Sequence, residues 1–129
     1  MAKELAQVDV LQILKKREPI FHHPELGVDR SDFENMTEIN FYEVGASGRC
    51  YNREFVIDTL VKRYQDTNYA SQDYWEIEDC QCTQIEQNAY LFIYQLTHKE
   101  RVTRRATIWK FDGEDWKIFY HQGTIVQEE

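Results

Sequence analysis

The chain has 129 residues, of which 42% are hydrophobic and 14% aromatic, a composition that supplies a core and excludes disorder as the main state. A chain of this length buries roughly two thirds of the surface that its unfolded state exposes, so we predict a single domain over residues 1–129. Its formal net charge of −8 repels a phosphate backbone, so we expect no nucleic acid among its partners.

An amphipathic helix is predicted at the N-terminus, from Ala2 to about Arg17. Val8, Leu11 and Leu14 recur at a spacing of three, and charged residues fall on the other side. Pro19 removes a backbone donor, so the helix ends or kinks there. The segment lacks the apolar core of a secretory leader, and no run approaches the ~20 apolar residues of a membrane span. We expect a cytoplasmic protein without membrane contact.

A second, short helix is predicted through about Met36. Ser31 and Glu34 have the spacing of a capping box, in which each side chain binds a free backbone N–H. A short strand follows from Phe41 to Val44, and the glycines of the segment from Gly45 to Gly48 favour a tight turn.

A third helix is predicted to begin after Asn52, which is a favoured capping residue. Its apolar face repeats at helical spacing and is formed by Ile57, Leu60, Val61 and Tyr64.

The pattern changes to a period of two in the second half of the chain. Short polar turns separate the runs, which favours antiparallel pairing of neighbours. Four strands are predicted, at Tyr74 to Thr83, Ala89 to His98, Arg101 to Phe111 and Trp116 to Val126.

Large side chains occupy both faces of these strands. In the last strand Trp116, Ile118 and Tyr120 alternate with Phe119 and His121. Three helices can cover one face of the sheet, so we expect the outer face to be covered by a second copy in a homodimer.

The cysteines indicate neither a disulfide framework nor a metal site. Cys50, Cys80 and Cys82 are odd in number, and no second Cys or His pair stands at zinc-finger spacing. We expect free thiols, no metal and no organic cofactor.

Three stretches of the chain are distinctive: REPIFHHPELG (Arg17 to Gly27), FYEVGASGRCYNREFV (Phe41 to Val56) and RRATIWKFDGEDWKIFYHQGT (Arg104 to Thr124). They resemble the nuclear transport factor 2-like superfamily, also called SnoaL-like or cystatin-like cone. The similarity is to an uncharacterised bacterial branch of the domain-of-unknown-function 4440 type. It implies an α+β fold, in which a cone-shaped, curved antiparallel sheet packs on three helices from the N-terminal half and leaves a pocket between helices and sheet. The superfamily includes isomerases, dehydratases, cyclases and binding modules, so the fold leaves function open.

The last strand departs from the superfamily pattern. Many relatives have a Trp followed six residues later by His and eight later by Ser or Thr, whereas Trp116 is followed at these offsets by Gln122 and Thr124. His121 is displaced by one residue and would point to the opposite face from Trp116 in a flat strand, unless a bulge restores it.

The candidate catalytic residues are Glu18 and His22. Glu18 continues the apolar stripe of the first helix, and His22 follows four residues later, which would place a carboxylate beside an imidazole if the helix persisted. An ordinary surface pair at a helix end is the alternative. Arg105 is a candidate to pair with Glu18 or to bind a ligand carboxylate, with a structural salt bridge as its alternative.

Aromatic and polar residues of the strands complete the predicted ligand pocket, because small-molecule sites combine apolar walls with a few polar groups. Glu43 alternates with Phe41 and is a candidate for the cavity mouth, but a charge that protects a short edge strand is the favoured interpretation. Ser47 lacks the G-x-S-x-G pattern of a serine nucleophile. The predicted pocket consists of Glu18, His22, Trp75, Tyr94, Arg105, Trp109, Tyr120 and Gln122, with Tyr90 as a further candidate.

Two functions agree with these patterns, and enzymatic activity stays open. The first is a non-catalytic, dimeric module that binds a small molecule. The second is a cofactor-free acid–base enzyme, an isomerase, dehydratase or cyclase, that acts on a small apolar substrate with Glu18 or His22 as base.

Overall fold

A computed structural model of the chain describes residues 7–19, 21–66 and 75–127. The described helices are α1 (Gln7–Lys15), α2 (Arg30–Met36) and α3 (Arg53–Gln65), with a short 3-10 turn at Pro24–Leu26. The strands are β1 (Thr37–Val44), β2 (Cys50–Asn52), β3 (Trp75–Glu86), β4 (Ala89–His98), β5 (Arg101–Phe111) and β6 (Trp116–Ile125). The predicted α+β class is confirmed. The predicted start of the first helix at Ala2 and that of the first of the four hairpin strands at Tyr74 lie outside the described residues.

The six strands form one open sheet in the order β2-β1-β6-β5-β4-β3. The hairpins from β3 to β6 are antiparallel, as their short turns predict. The sheet as a whole is mixed, because β1 pairs with β6 in parallel. No turn joins these two strands, so hairpin signals carry no information about their direction.

Helix α2 has a capping box, but not the predicted one. The Asp29 carboxylate accepts a hydrogen bond from the Asp32 backbone N–H at 2.9 Å, and the Asp32 carboxylate lies 3.5 Å from the Asp29 N–H. The helix therefore starts at Arg30, ahead of the predicted cap at Ser31. Asp and Ser cap helices about equally well, so spacing alone selects the wrong pair.

Two strand assignments also change. β1 begins directly after α2, at Thr37, where the hydroxyl donates to the Phe33 carbonyl oxygen at 2.8 Å. β2 was not predicted, since three residues are too short for a periodic signal. The predicted cap of α3 is confirmed, because the Asn52 side chain accepts from the Phe55 N–H at 2.8 Å.

The helices pack against one face of the sheet, α1 on β3 and α2 and α3 on β1. The core lies between these layers and includes Val10, Leu14, Phe33, Ile57, Leu60, Phe92, Leu96 and Ile118. All three cysteines are free thiols, of which Cys82 is buried. None of the described helices is long and apolar enough to cross a membrane.

Candidate functional site

Glu18 lies in a buried hydrogen-bonded cluster beneath the helices. It follows α1, and its backbone N–H still donates to the Leu14 carbonyl oxygen at 3.1 Å. Its side chain is 1% exposed. Oε2 accepts from the Tyr94 hydroxyl at 2.6 Å, and Oε1 accepts from Trp109 Nε1 at 3.1 Å. Two neighbouring strands therefore position both oxygens of one carboxylate.

Tyr94 keeps its proton in this cluster. Burial, and then the negative charge of Glu18, raise the pKa of Tyr94 well above its usual value. A protonated hydroxyl is the donor that a buried carboxylate requires, and the raised pKa keeps the Tyr94 hydroxyl in this form.

A separate cavity of about 550 Å³ opens between α3, the β1–β2 turn and the inner face of β5 and β6. This volume is within the usual range of ligand pockets. Its apolar wall includes Phe21, Tyr51, Phe55, Val56 and Leu60.

The polar side of the cavity is rich in titratable groups. Its members are His22, Glu43, Arg63, Arg101, Arg105 and His121.

A bulge in β6 brings His121 to this cavity. Trp109 pairs with Ile118 and Ile108 pairs with Tyr120, which leaves Phe119 as an extra residue. A bulge shifts the alternation of side chains by one, so the displaced histidine returns to the buried face. This alternative, posed by the sequence, is confirmed: Trp116, Ile118, His121 and Gly123 are all buried.

His121 is a neutral imidazole. Its Nδ1 lies 2.8 Å from the Thr107 hydroxyl on β5, and the side chain is buried. Burial, and then the charge of Arg105, lower the pKa of His121 to about 3. The ring can exchange hydrogen bonds with a ligand but is uncharged at neutral pH.

His22 is neutral for the same reasons. Its ring packs 4.4 Å from the Trp75 ring, which in turn stacks on His98 at 4.0 Å. Burial and the charges of Arg105 and Arg63 lower the pKa of His22 to about 3.

Glu43 faces the cavity from β1. Burial raises the pKa of Glu43, while the charges of Arg105 and Arg63 act in the opposite direction. Its interpretation as an edge-strand charge is wrong, because β1 lies between β2 and β6. The alternation of Glu43 with the buried Phe41 was the signal that places it on the inner face.

Solved structures with the same architecture are similar along nearly the whole chain. An NTF2-like protein from Cytophaga hutchinsonii superposes with a TM-score of 0.66 at 16% identity, over 95% of this chain and 100% of that chain. An uncharacterised protein with a cystatin-like fold from Caulobacter vibrioides gives a TM-score of 0.70 at 13% identity, over 94% and 90% of the two chains. The chain has the NTF2-like fold.

The branch within NTF2-like proteins is a finer question. A protein of unknown function of the DUF3225 family from Pectobacterium atrosepticum is also similar, with a TM-score of 0.67 at 12% identity over 94% of this chain and 91% of that chain. No protein-family model and no curated protein matches the sequence. Identities this low establish the fold alone, so membership of the domain-of-unknown-function 4440 branch stays a prediction.

The NTF2-like fold separates the predicted pocket residues into three groups. His22 and Arg105 line the cavity, and Trp75 stacks behind His22. Glu18, Tyr94 and Trp109 form the buried cluster and are not among the residues that line the cavity.

Tyr120, Gln122 and Tyr90 lie elsewhere in the NTF2-like domain. The Tyr120 hydroxyl donates to Gln122 Oε1, and its ring packs 4.8 Å from the Tyr42 ring on the outer face. Tyr90 packs on Trp116 in the core, with ring centroids 5.5 Å apart.

Sequence reasoning missed Arg63 and Arg101 as cavity residues. Arg63 lies in the last turn of α3, where a basic residue has an ordinary role against the helix dipole. In the part of the chain that the structure describes, no three His, Cys, Asp or Glu side chains converge as a metal site.

Proposed function

We propose that the chain is a non-catalytic module that binds a small molecule in the cavity between α3, the β1–β2 turn and strands β5 and β6. The observation that carries this proposal is the cavity itself, about 550 Å³ with an apolar wall and a convergent polar side. Ligand sites combine these two features, whereas packed cores leave few voids larger than a water molecule.

The state of the candidate bases favours binding over catalysis. Both oxygens of Glu18 already accept hydrogen bonds, and its side chain is 1% exposed. His22 and His121, with pKa values of about 3, are weak bases at neutral pH. A general base works best when its pKa is near the working pH.

One observation favours the second candidate, a cofactor-free acid–base enzyme such as an isomerase, dehydratase or cyclase. Glu43 is a carboxyl in the cavity whose pKa is raised by burial, and a raised pKa is typical of carboxyls that transfer protons. In this second candidate function, Glu43 would act as the base in place of Glu18.

The first prediction tests the cavity as the binding site. Nile red, an uncharged fluorophore that brightens in apolar surroundings, should bind the protein, and Thr59→Trp should weaken its binding at least tenfold, because Thr59 lines the cavity from α3 and the larger ring would fill it. Lys62→Trp, at an exposed position of the same helix, is the matched control and should bind Nile red as the parent does.

Equal binding of Nile red by the parent and the Thr59→Trp variant, with both folded, would contradict the proposal. Conversion of a bound compound to product, lost in Glu43→Gln, would support the enzyme instead.

We also propose that the module is a homodimer through the outer face of the sheet. The helices cover the inner face, and the outer face carries apolar side chains that alternate with buried ones. These include Leu91, Ile93, Ala106, Ile108 and Tyr120. An apolar patch of this kind on a small domain marks an interaction surface.

The second prediction concerns this dimer. Light scattering after size exclusion at micromolar concentration should give twice the 15.6 kDa mass of the chain. Ile93→Glu should shift the protein to the monomer, because it places a charge at the centre of the proposed interface. Val28→Glu, in an exposed loop before α2, should leave the dimer intact. A monodisperse parent monomer would contradict this prediction.

A further inference from the structure

We propose that the ligand of the cavity is a small carboxylic acid with an apolar body, and that the carboxylate is bound by Arg105. This inference rests on the proposed binding function and adds the chemical class of the ligand.

The charge of the cavity is opposite to that of the chain. The chain carries a net charge of −8, yet Arg63, Arg101 and Arg105 line the cavity together with a single carboxylate, Glu43, among the described lining residues. Arg101 is exposed and therefore screened by solvent. Arg105 is half-buried, so its charge is screened less than that of Arg101.

Arg105 is at the centre of this charge distribution. Its charge acts to lower the pKa of His22, of His121 and of Glu43, so its guanidinium lies near all three side chains of the polar wall. Both imidazoles are neutral there, so the positive charge of the site belongs to the arginines. A half-buried guanidinium is costly without a counter-charge.

The orientation of Arg105 suits a carboxylate. Its Nε donates to the Thr103 hydroxyl at 3.1 Å, and its side chain also hydrogen-bonds to Tyr94. These two contacts fix the plane of the guanidinium, and its five N–H donors exceed them, so donors remain for a ligand. Gly123 pairs with Arg105 across the sheet, and a Cβ there would lie 3.8 Å from Arg105 Nε. In the described chain, no carboxylate lies within salt-bridge distance of Arg105. A fixed, planar guanidinium binds carboxylates through two parallel hydrogen bonds.

The rest of the cavity selects an apolar body. Phe21, Val56 and Leu60 are buried side chains of the wall, and the rings of Tyr51 and Phe55 stack at 4.9 Å beside it. A ligand with an ionic head and an apolar tail can bind the arginine with its head and cover the apolar wall with its tail. A fully polar anion would leave the apolar wall in contact with water.

The third prediction uses pairs of probes that differ only in charge: phenylacetate with phenylacetamide, and hexanoate with hexanamide. By titration calorimetry at neutral pH, the parent protein should bind each carboxylate at least tenfold more tightly than its amide, because a hydrogen-bonded charge contributes more than a neutral contact. Arg105→Gln should weaken carboxylate binding by roughly tenfold to a hundredfold and amide binding little.

Arg104→Gln is the matched control, because Arg104 precedes Arg105 in β5 and is exposed on the outer face. This variant should bind both kinds of probe as the parent does. If Arg105→Gln fails to fold, the exposed Arg101→Gln variant tests the same charge preference and should weaken carboxylates a few-fold.

The outcomes separate the two proposals. Equal affinity of the parent for carboxylate and amide overturns the inference about charge and leaves the binding function standing. Retained carboxylate preference in a folded Arg105→Gln variant overturns the role of Arg105. Failure of all four probes, together with failure of Nile red, overturns both proposals, and failure of the four probes alone overturns the carboxylate.

Discussion

Trp116→Ala should lower the free energy of unfolding by about 3 to 5 kcal/mol, the usual cost of truncating a buried aromatic side chain. Trp116 is 5% exposed, and its ring packs on Tyr90 at 5.5 Å and on Phe111 at 4.8 Å. Its removal leaves a void where β4, β5 and β6 meet, and the loss is a large share of the stability of a small domain.

Urea unfolding monitored by far-UV circular dichroism measures this loss. Ile39→Ala is the control, because Ile39 is an apolar residue that is 78% exposed and should change stability little. An unchanged midpoint for Trp116→Ala would contradict the position of Trp116 in the core.

Glu18→Ala should also destabilise the fold by about 3 to 5 kcal/mol, the scale for removing one partner of a buried charged contact. The Tyr94 hydroxyl and Trp109 Nε1 would each lose their acceptor in a region without solvent. Glu18→Gln should cost less, because an amide oxygen can accept from Trp109 while the amide nitrogen donates to the Tyr94 oxygen.

The same unfolding measurement compares both variants with Glu100→Ala, an exposed residue in the turn after β4. Stability of Glu18→Ala equal to that of Glu100→Ala would show that the buried cluster contributes nothing. Loss of Nile red binding in a folded Glu18→Gln variant would instead connect the cluster to the cavity.

The elements that the sequence predicted most accurately are those with a strong local period. The bounds predicted for β4 and β5, Ala89 to His98 and Arg101 to Phe111, are the observed ones. Alternating apolar side chains and short polar turns act between neighbours in the chain, so their signal is present before any tertiary contact forms. The cap at Asn52 is a local signal of the same kind.

Local signals failed where several residues compete or where a pairing is distant. Asp29, and not Ser31, caps α2. The parallel pairing of β1 with β6 involves no hairpin turn, so no turn residues predict it. The bulge at Phe119 depends on the register of β6 against β5. The sequence therefore allowed His121 to face either side of the sheet, and only the strand pairing determines which.

The sequence by itself was therefore enough to predict the α+β class and most of the strands. It was also enough to select His22 and Arg105 as candidates for a pocket. The partners of Glu18 were not predictable, because Tyr94 and Trp109 follow it by 76 and 91 residues and reach it only in the folded sheet. Arg105, a candidate partner of Glu18, donates its Nε hydrogen to Thr103 and hydrogen-bonds to Tyr94. The sequence around a carboxylate does not show which distant donors will form hydrogen bonds with it, because burial and strand register together determine those contacts.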